Sequence, residues 1–354
     1  MIPHLVVDRM LPPNMKANGV ADWLHALYRG NLFSGAVLIA KVGNTCFEGQ
    51  YGYADLADST PLTSHSSFSI ASLSKQFTAM AMLLLAHGGR LKLDDAMARY
   101  LPELKIYDGI TIKHMLHHTS GLPDYMALAD KRWDGTRVIT ARDVVAMLEQ
   151  FRPSPHFRPG DEFEYSNTGY ALLEVILSRV TGLTYPDFMK QEVFDRLGMS
   201  DSAAFNLASR ECPLSSRVFG FRRAFAGFGG KVLSDLNYLD GVYGDGGIYS
   251  STSDLARWDA ALRFGTLLPV AICEQAYVSG KLNSGANTGY GYGWEILSPT
   301  VVEHWGNWEG FTAHIRRDLR EHLLLVVLSN FTPYHDAISN ELWDAFSDGG
   351  VGMS

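Results

Sequence analysis

Ser72 and Lys75, in the run Ser72-Leu73-Ser74-Lys75, stand three residues apart just before a largely apolar stretch, Gln76 to His87, that reads as a buried helix. Residues three apart share a helical face, so the amine can reach the hydroxyl. A serine at a helix start also sits beside unpaired backbone N–H groups and the positive end of the dipole. A nucleophile, a proton acceptor and donors for an oxyanion are the parts of an acyl-transfer site. With 28 serines and 10 lysines in 354 residues, about one Ser-x-x-Lys is expected by chance, so the pair alone decides little. Tyr165-Ser166-Asn167, the single Tyr-x-Asn of the chain, adds a second candidate base and an amide. His304-Trp305-Gly306 adds an imidazole, although His87-Gly88-Gly89 repeats that pattern and shows how weak it is in isolation. Order, separation and flanks carry the weight.

Distant stretches must fold together to assemble these groups. Ala21 to Tyr28 pairs Trp23 with Leu27 and Leu24 with Tyr28 at helical spacing and stops at Gly30. The apolar run Gly35 to Lys41 and the stretch Asn44 to Tyr53, joined by Val42-Gly43, read as a β-hairpin. Helical patterns then dominate: Asp94–Tyr100, Thr111–His117, Ala141–Gln150, Thr168–Thr181 and Tyr185–Leu197. Ser200 to Gly247 is rich in Gly and Ser and reads as long loops, before a helix over Thr252–Phe264. Strand-like runs return at Tyr290–Leu297, Val301–Trp305, Phe311–Arg317 and Leu323–Leu328, and Ala337–Phe346 closes as a helix. The expectation is an α/β (α+β) fold: residues 1–90 and 245–354 build a discontinuous α/β domain, residues 91–244 a mainly helical insertion, with the cleft between them.

Composition excludes several classes. A 46% hydrophobic content supports a sizeable core. Net charge is −8, and adjacent basic residues occur only at Lys131-Arg132, Arg222-Arg223 and Arg316-Arg317, so no nucleic-acid partner is expected. Cys46, Cys212 and Cys273 lie far apart without Cys-x-x-Cys spacing, which argues against a disulfide framework or a zinc knuckle and fits a reduced compartment. Met1 to Val20 has no basic stretch followed by an apolar one, and Phe77 to Ala86 is too short to span a bilayer. A cytoplasmic protein with no membrane partner is the expectation. The glycines around 227–230 and 244–247 do not link a strand to a helix in dinucleotide fashion, so no cofactor is expected. His114, His117 and His118 have i, i+3, i+4 spacing, but no carboxylate joins them at helical spacing and no metal site is expected.

Taken in order, Ser72-x-x-Lys75, Tyr165-Ser-Asn167 and His304-Trp-Gly306 resemble the serine penicillin-recognising superfamily, which includes class C β-lactamases, D-aminopeptidases, DD-peptidases and family VIII carboxylesterases. The flanks are similar too: Ile110 to Leu122, Arg158 to Tyr170, Leu197-Gly-Met199 and Gly246 to Ser251. The resemblance runs from about Gly35 to Asn330. It implies a β-lactamase/transpeptidase-like fold, an antiparallel sheet flanked by helices, and no cofactor or metal. It implies that Ser72 attacks an ester, amide or lactam carbonyl, with Lys75 or Tyr165 taking its proton. It also implies that Asn167 orients the acyl group, and that the N–H of Asn307, just after the third motif, joins that of Ser72 as an oxyanion hole.

The third motif departs from the Lys-Thr-Gly usual in β-lactamases and transpeptidases. A neutral His304 offers no fixed charge to a substrate carboxylate. That turns the expectation toward a carboxylesterase for short acyl esters, with His304 contacting substrate and Trp305 and Trp308 forming an aromatic wall. A D-amino-acid amidase or aminopeptidase, a transacylase of the same fold and a silent scaffold relative are the alternatives. The partner is in each enzyme case a small ester or amide; weak β-lactam hydrolysis fits any of them. Tyr125 reads as a pocket or plain loop residue, and Glu309 as a solvated turn residue or as an attractor of a cationic group.

Overall fold

The computed structural model describes residues 17–207, 212–224, 230–331 and 335–347. The absence of a leader read from the first residues, and the glycines from 227 to 229, lie outside these. Two N-terminal strands, β1 (Ser34–Lys41) and β2 (Asn44–Tyr51), join four C-terminal ones, β3 (Glu295–Ile296), β4 (Val301–Trp308), β5 (Phe311–Asp318) and β6 (Leu323–Phe331). They form one antiparallel sheet in the order β3-β4-β5-β6-β1-β2. Val37 pairs with Val327 where the chain's two ends meet.

Both faces of the central strands are covered, so β1 and β6 are apolar almost throughout. Alternation divides their side chains between two cores. Val37, Ile39, Leu323, Leu325 and Val327 pack with Val20, Trp23 and Leu24 of α1 (Ala17–Arg29). Ile338, Leu342 and Trp343 of the C-terminal helix His335–Ser347 complete that layer. Ala36, Leu38, Leu324, Val326 and Leu328 face the opposite way, into the larger core. There lie α2 (Ser74–His87), α3 (Ala141–Phe151), α4 (Asn167–Thr181) and α5 (Thr252–Phe264). No helix of the described residues is long and apolar enough to cross a membrane.

Three local readings differ from the structure. Asp94–Tyr100 holds only one tight turn, Met97–Arg99. Of Tyr290–Leu297 only Glu295–Ile296 is strand, because Gly293, at φ 76°, presses its backbone against Gln76 of α2, where a ladder cannot continue. Tyr185–Leu197 is a helix interrupted by a wide-wound segment at Lys190–Phe194. A helix over Tyr125–Arg132, capped by the Asp124 carboxylate accepting from the Met126 N–H, has no apolar periodicity to announce it.

Candidate active site

Ser72 lies in a single tight turn, Ala71–Leu73, that leads straight into α2. Ala71 adopts φ 45°, a left-handed conformation that costs a non-glycine residue about 1–2 kcal/mol. Strain at this point turns the chain so that Ser72 reaches the cleft while Leu73 stays in the core. The turn is held from two sides. Ile70 N–H donates to the Ile248 carbonyl at 3.0 Å, and Gly306 of β4 lies against it. A β-carbon on Gly306 would come within 2.2 Å of the Ile70 carbonyl oxygen, so only a glycine lets β4 approach this closely.

Lys75, the second residue of α2, is fully buried. Its Nζ donates to Ser72 Oγ at 3.1 Å, to Asn167 Oδ1 at 2.8 Å and to the Asp245 carbonyl at 2.7 Å. Burial pushes the amine down to about 8, against the Asp245 carboxylate, which raises it. Asn167 opens α4 behind Ser166, whose hydroxyl caps the helix by accepting from the Gly169 N–H at 3.2 Å. The second motif is thus a helix start aimed at the lysine of another helix start.

Tyr165 interacts through its phenol with the Ser72 hydroxyl, and its ring lies 4.9 Å from Lys75 Nζ. The ring is 40% exposed, but the hydroxyl end is enclosed, and burial pushes the phenol well above its ordinary range while the bond to Ser72 pulls it back. An ammonium-stabilised phenolate is therefore not what this environment favours. His118, at φ 59° and fully buried, packs its ring against Tyr165 in a tilted contact with centroids 4.3 Å apart. Its Nδ1 accepts from the Ser166 N–H at 3.0 Å. His117 faces the Tyr290 carbonyl through Nδ1, and His114 Nδ1 accepts from the Thr111 N–H. The three imidazoles thus turn to three different partners.

The third motif divides. His304 is 1% exposed, and burial, with Lys75 adding to it, drives its imidazole down to about 3. Nδ1 faces the Trp305 carbonyl at 2.7 Å, which makes it the protonated nitrogen, and Nε2 accepts from Tyr290 Oη at 2.8 Å. It lies 6.1 Å from the Tyr165 ring, centroid to centroid, behind the cavity rather than on its wall. Trp305 points to the other face of β4, stacked on His314 at 3.5 Å with Nε1 donating to Glu303. Neither His304 nor Trp305 is among the described residues on the cavity wall, where substrate contact was expected of them. Asn307 and Trp308 do line the cavity, and Trp308 Nε1 donates to Asp240 Oδ1 at 2.8 Å. Glu309 is taken up by the neighbouring loop, accepting from Ser234 Oγ at 2.7 Å and Asn237 Nδ2 at 2.6 Å.

The cavity at Ser72 has a volume of about 160 Å³. Ser72, Asn167 and Asn307 share its wall with Met126, Leu239, Val242 and Trp308, and among the described residues no arginine, lysine or histidine lines it. Two carboxyl groups do, Asp240 and Asp245, raised by burial to about 7 and about 6. Tyr125 Oη donates to Asp245 Oδ2 at 2.9 Å, which makes Tyr125 a wall of the site. Asp245 and Asp240 escaped the sequence reading, although Asp245 directly precedes Gly246 to Ser251, a stretch already singled out. The chemistry available is a serine hydroxyl beside a buried amine and a phenol, in a small pocket whose described lining carries carboxyl groups and no cationic side chain.

Comparison with known proteins shows the family and the fold. The beta-lactamase family model matches residues 8–346. Penicillin-binding protein 4* of Bacillus subtilis is 36% identical over 319 residues, covering 86% of this chain and 70% of that protein. Protein flp of Staphylococcus aureus is 27% identical over 319 residues, and the match spans only 61% of its length and 86% of this chain. D-amino acid amidase of Ochrobactrum anthropi SV3, solved with D-phenylalanine, superposes with a TM-score of 0.75 at 25% identity, over 92% of this chain and 98% of the amidase.

Proposed function

This chain belongs to the beta-lactamase family of serine hydrolases, and from that premise we propose that it works through an acyl-enzyme on Ser72 as a carboxylesterase for short acyl esters. The observation that carries the reading is the buried Lys75 amine, 3.1 Å from Ser72 Oγ, with its proton affinity lowered to about 8. In its neutral form Lys75 takes the Ser72 proton as Oγ bonds to the carbonyl carbon. The N–H groups of Ser72 and Asn307 receive the oxyanion. As the tetrahedral species collapses, the C–O bond to the alcohol breaks, and the protonated Tyr165 phenol relays a proton from the Lys75 ammonium to the departing oxygen. Water then attacks the acyl carbon and gives a proton to Lys75, and as the bond to Ser72 Oγ breaks Lys75 passes that proton to Oγ, which frees the acid and restores the serine.

Ester preference is supported by the cavity wall. Among the described residues of that wall, a penicillin or a peptide with a free carboxylate would meet Asp240 and Asp245 and no cation. A short neutral acyl group fits a pocket of about 160 Å³ lined by Met126, Leu239, Val242 and Trp308. The same two carboxyl groups favour a second reading, amidase action on substrates with a free amino group, in keeping with the likeness to D-amino acid amidase.

A fluorophosphonate probe and a substrate panel test both. Labelling of the native protein that disappears in Ser72→Ala supports the acyl-enzyme, and an unlabelled native protein refutes it. Among p-nitrophenyl esters, D- and L-amino-acid anilides and nitrocefin, the esters should turn over fastest. Faster turnover of D-anilides would establish the amidase instead.

A further inference from the structure

A second cavity, of about 810 Å³ and much larger than the one at Ser72, opens between α3 and α4. Val145, Val175, Leu183 and Pro186 give it apolar walls. Glu174 of α4 is the buried carboxyl group on its lining, at 8% exposed. One carboxylate oxygen is fully used, since Oε2 accepts from the Tyr243 N–H at 2.7 Å and the Gly244 N–H at 2.8 Å. The other, Oε1, accepts no hydrogen bond from any described residue.

Holding the Tyr243–Gly244 turn needs one acceptor oxygen, which a neutral amide supplies without burying a charge. A carboxylate there invites a cation. Neither arginine on the lining fills that role. Arg179 is taken by Glu103 and the Tyr100 carbonyl, and Arg142 stands exposed at the rim. Movement of the carboxylate is blocked as well, because a β-carbon on Gly244 would come within 2.4 Å of the Tyr170 carbonyl oxygen, so the turn is pressed flat on α4. We propose that this cavity is a second ligand site, separate from Ser72, for a small molecule whose primary ammonium sits on Glu174 Oε1 and whose apolar body lies along Val145, Val175, Leu183 and Pro186. Burial, with the Asp245 charge adding to it, raises the Glu174 carboxyl to about 8 against the two N–H donors and the more distant Arg142 charge, and an ammonium seated on Oε1 relieves that cost. The site adjoins the lysine without opening onto it: the same turn continues into Asp245, whose carbonyl accepts from Lys75.

Calorimetric titration of the full-length chain with n-butylammonium, against n-butanol as the uncharged control, tests the site. Saturable binding of the amine at one site per chain and none of the alcohol is expected. Glu174→Gln should weaken binding roughly 10- to 100-fold. Ala146→Trp, an exposed α3 position on the lining, should abolish it by filling the cavity while leaving the Glu174 bonds intact, and it decides the matter if Glu174→Gln fails to fold. Asp240→Asn, in the Ser72 cavity, should leave binding unchanged. No saturable binding, equal binding of the alcohol, persistence in both cavity variants, or loss in Asp240→Asn overturns the proposal.

Discussion

Gly306→Ala isolates the close approach on which the reaction geometry depends. The new β-carbon would meet the Ile70 carbonyl oxygen at 2.2 Å, the Ile70 carbonyl carbon at 3.1 Å and the Ala71 β-carbon at 3.2 Å. The first contact is short by about 0.8 Å of the closest approach real β-carbons tolerate, and it is to backbone, which cannot swing aside. Either β4 or the turn carrying Ser72 must move by nearly that amount. The next residue, Asn307, carries the N–H assigned to the oxyanion, so the distance between its donor and that of Ser72 opens. A misplacement of about 1 Å costs on the order of 100-fold in rate, in keeping with the loss of one oxyanion donor. Ground-state binding of a short ester uses the apolar wall and should change little, so the expected result is kcat down about 100-fold with KM within a few-fold. Folding should survive at a cost of about 1–3 kcal/mol, since Gly306 sits within a strand paired to β5 opposite Ala313. Steady-state hydrolysis of p-nitrophenyl butyrate, with thermal unfolding followed by circular dichroism, measures both. A folded variant with kcat within twofold of the native protein would refute the role given to this contact.

Other outcomes follow from the same geometry. The rate constant kcat/KM should rise with pH along a limb near 8 as Lys75 loses its proton; Asp245→Asn removes the charge that raises that pKa, so the limb should move to lower pH by about one unit. A limb that stays or moves upward in a pH–rate profile would assign it to another group. Trp305→Phe keeps the stacking on His314 but loses the bond to Glu303, so thermal stability should fall by about 1 kcal/mol with kcat/KM within twofold of native. Glu309→Gln should leave the ratio of amino-acyl to neutral ester hydrolysis unchanged, because its oxygens already serve Ser234 and Asn237; a shifted ratio would return Glu309 to the substrate.

What was legible in the sequence is what rests on spacing. The Ser72–Lys75 offset, the strands from Val301 to Leu328 and the helix Thr252–Phe264 are local patterns, and local periodicity encodes them. His304 and Trp305 read as one motif in the sequence, but as neighbours on a strand they face different ways, His304 into the interior beside Tyr165 and Trp305 onto His314. Asp240 and Asp245 were hidden because their meaning is entirely tertiary. Asp245 acts on Lys75 from 170 residues away, through a backbone carbonyl that no side-chain pattern advertises. His118 belongs with them, since nothing in its spacing from His114 and His117 announced the ring contact with Tyr165 or the bond from the Ser166 N–H that the fold gives it.

The same enclosure acts on Lys75 and Tyr165 and divides their roles by sign. Desolvation disfavours whichever form is charged. For the amine that is the protonated state, and Lys75 falls to about 8; for the phenol it is the deprotonated state, and Tyr165 rises. One group is thus made ready to take a proton near neutral pH and the other to keep its own until a leaving oxygen needs it. Asp245 sets the balance, for without its charge burial would drive Lys75 lower still, leaving a weaker base that is neutral too early. Water entering beside Ser72 would return both groups toward their ordinary values and erase the division. Met126, Leu239, Val242 and Trp308 therefore do more than receive an acyl chain: an ester that seals against them keeps the amine and the phenol apart in proton affinity, and one too short to seal should turn over more slowly at equal occupancy.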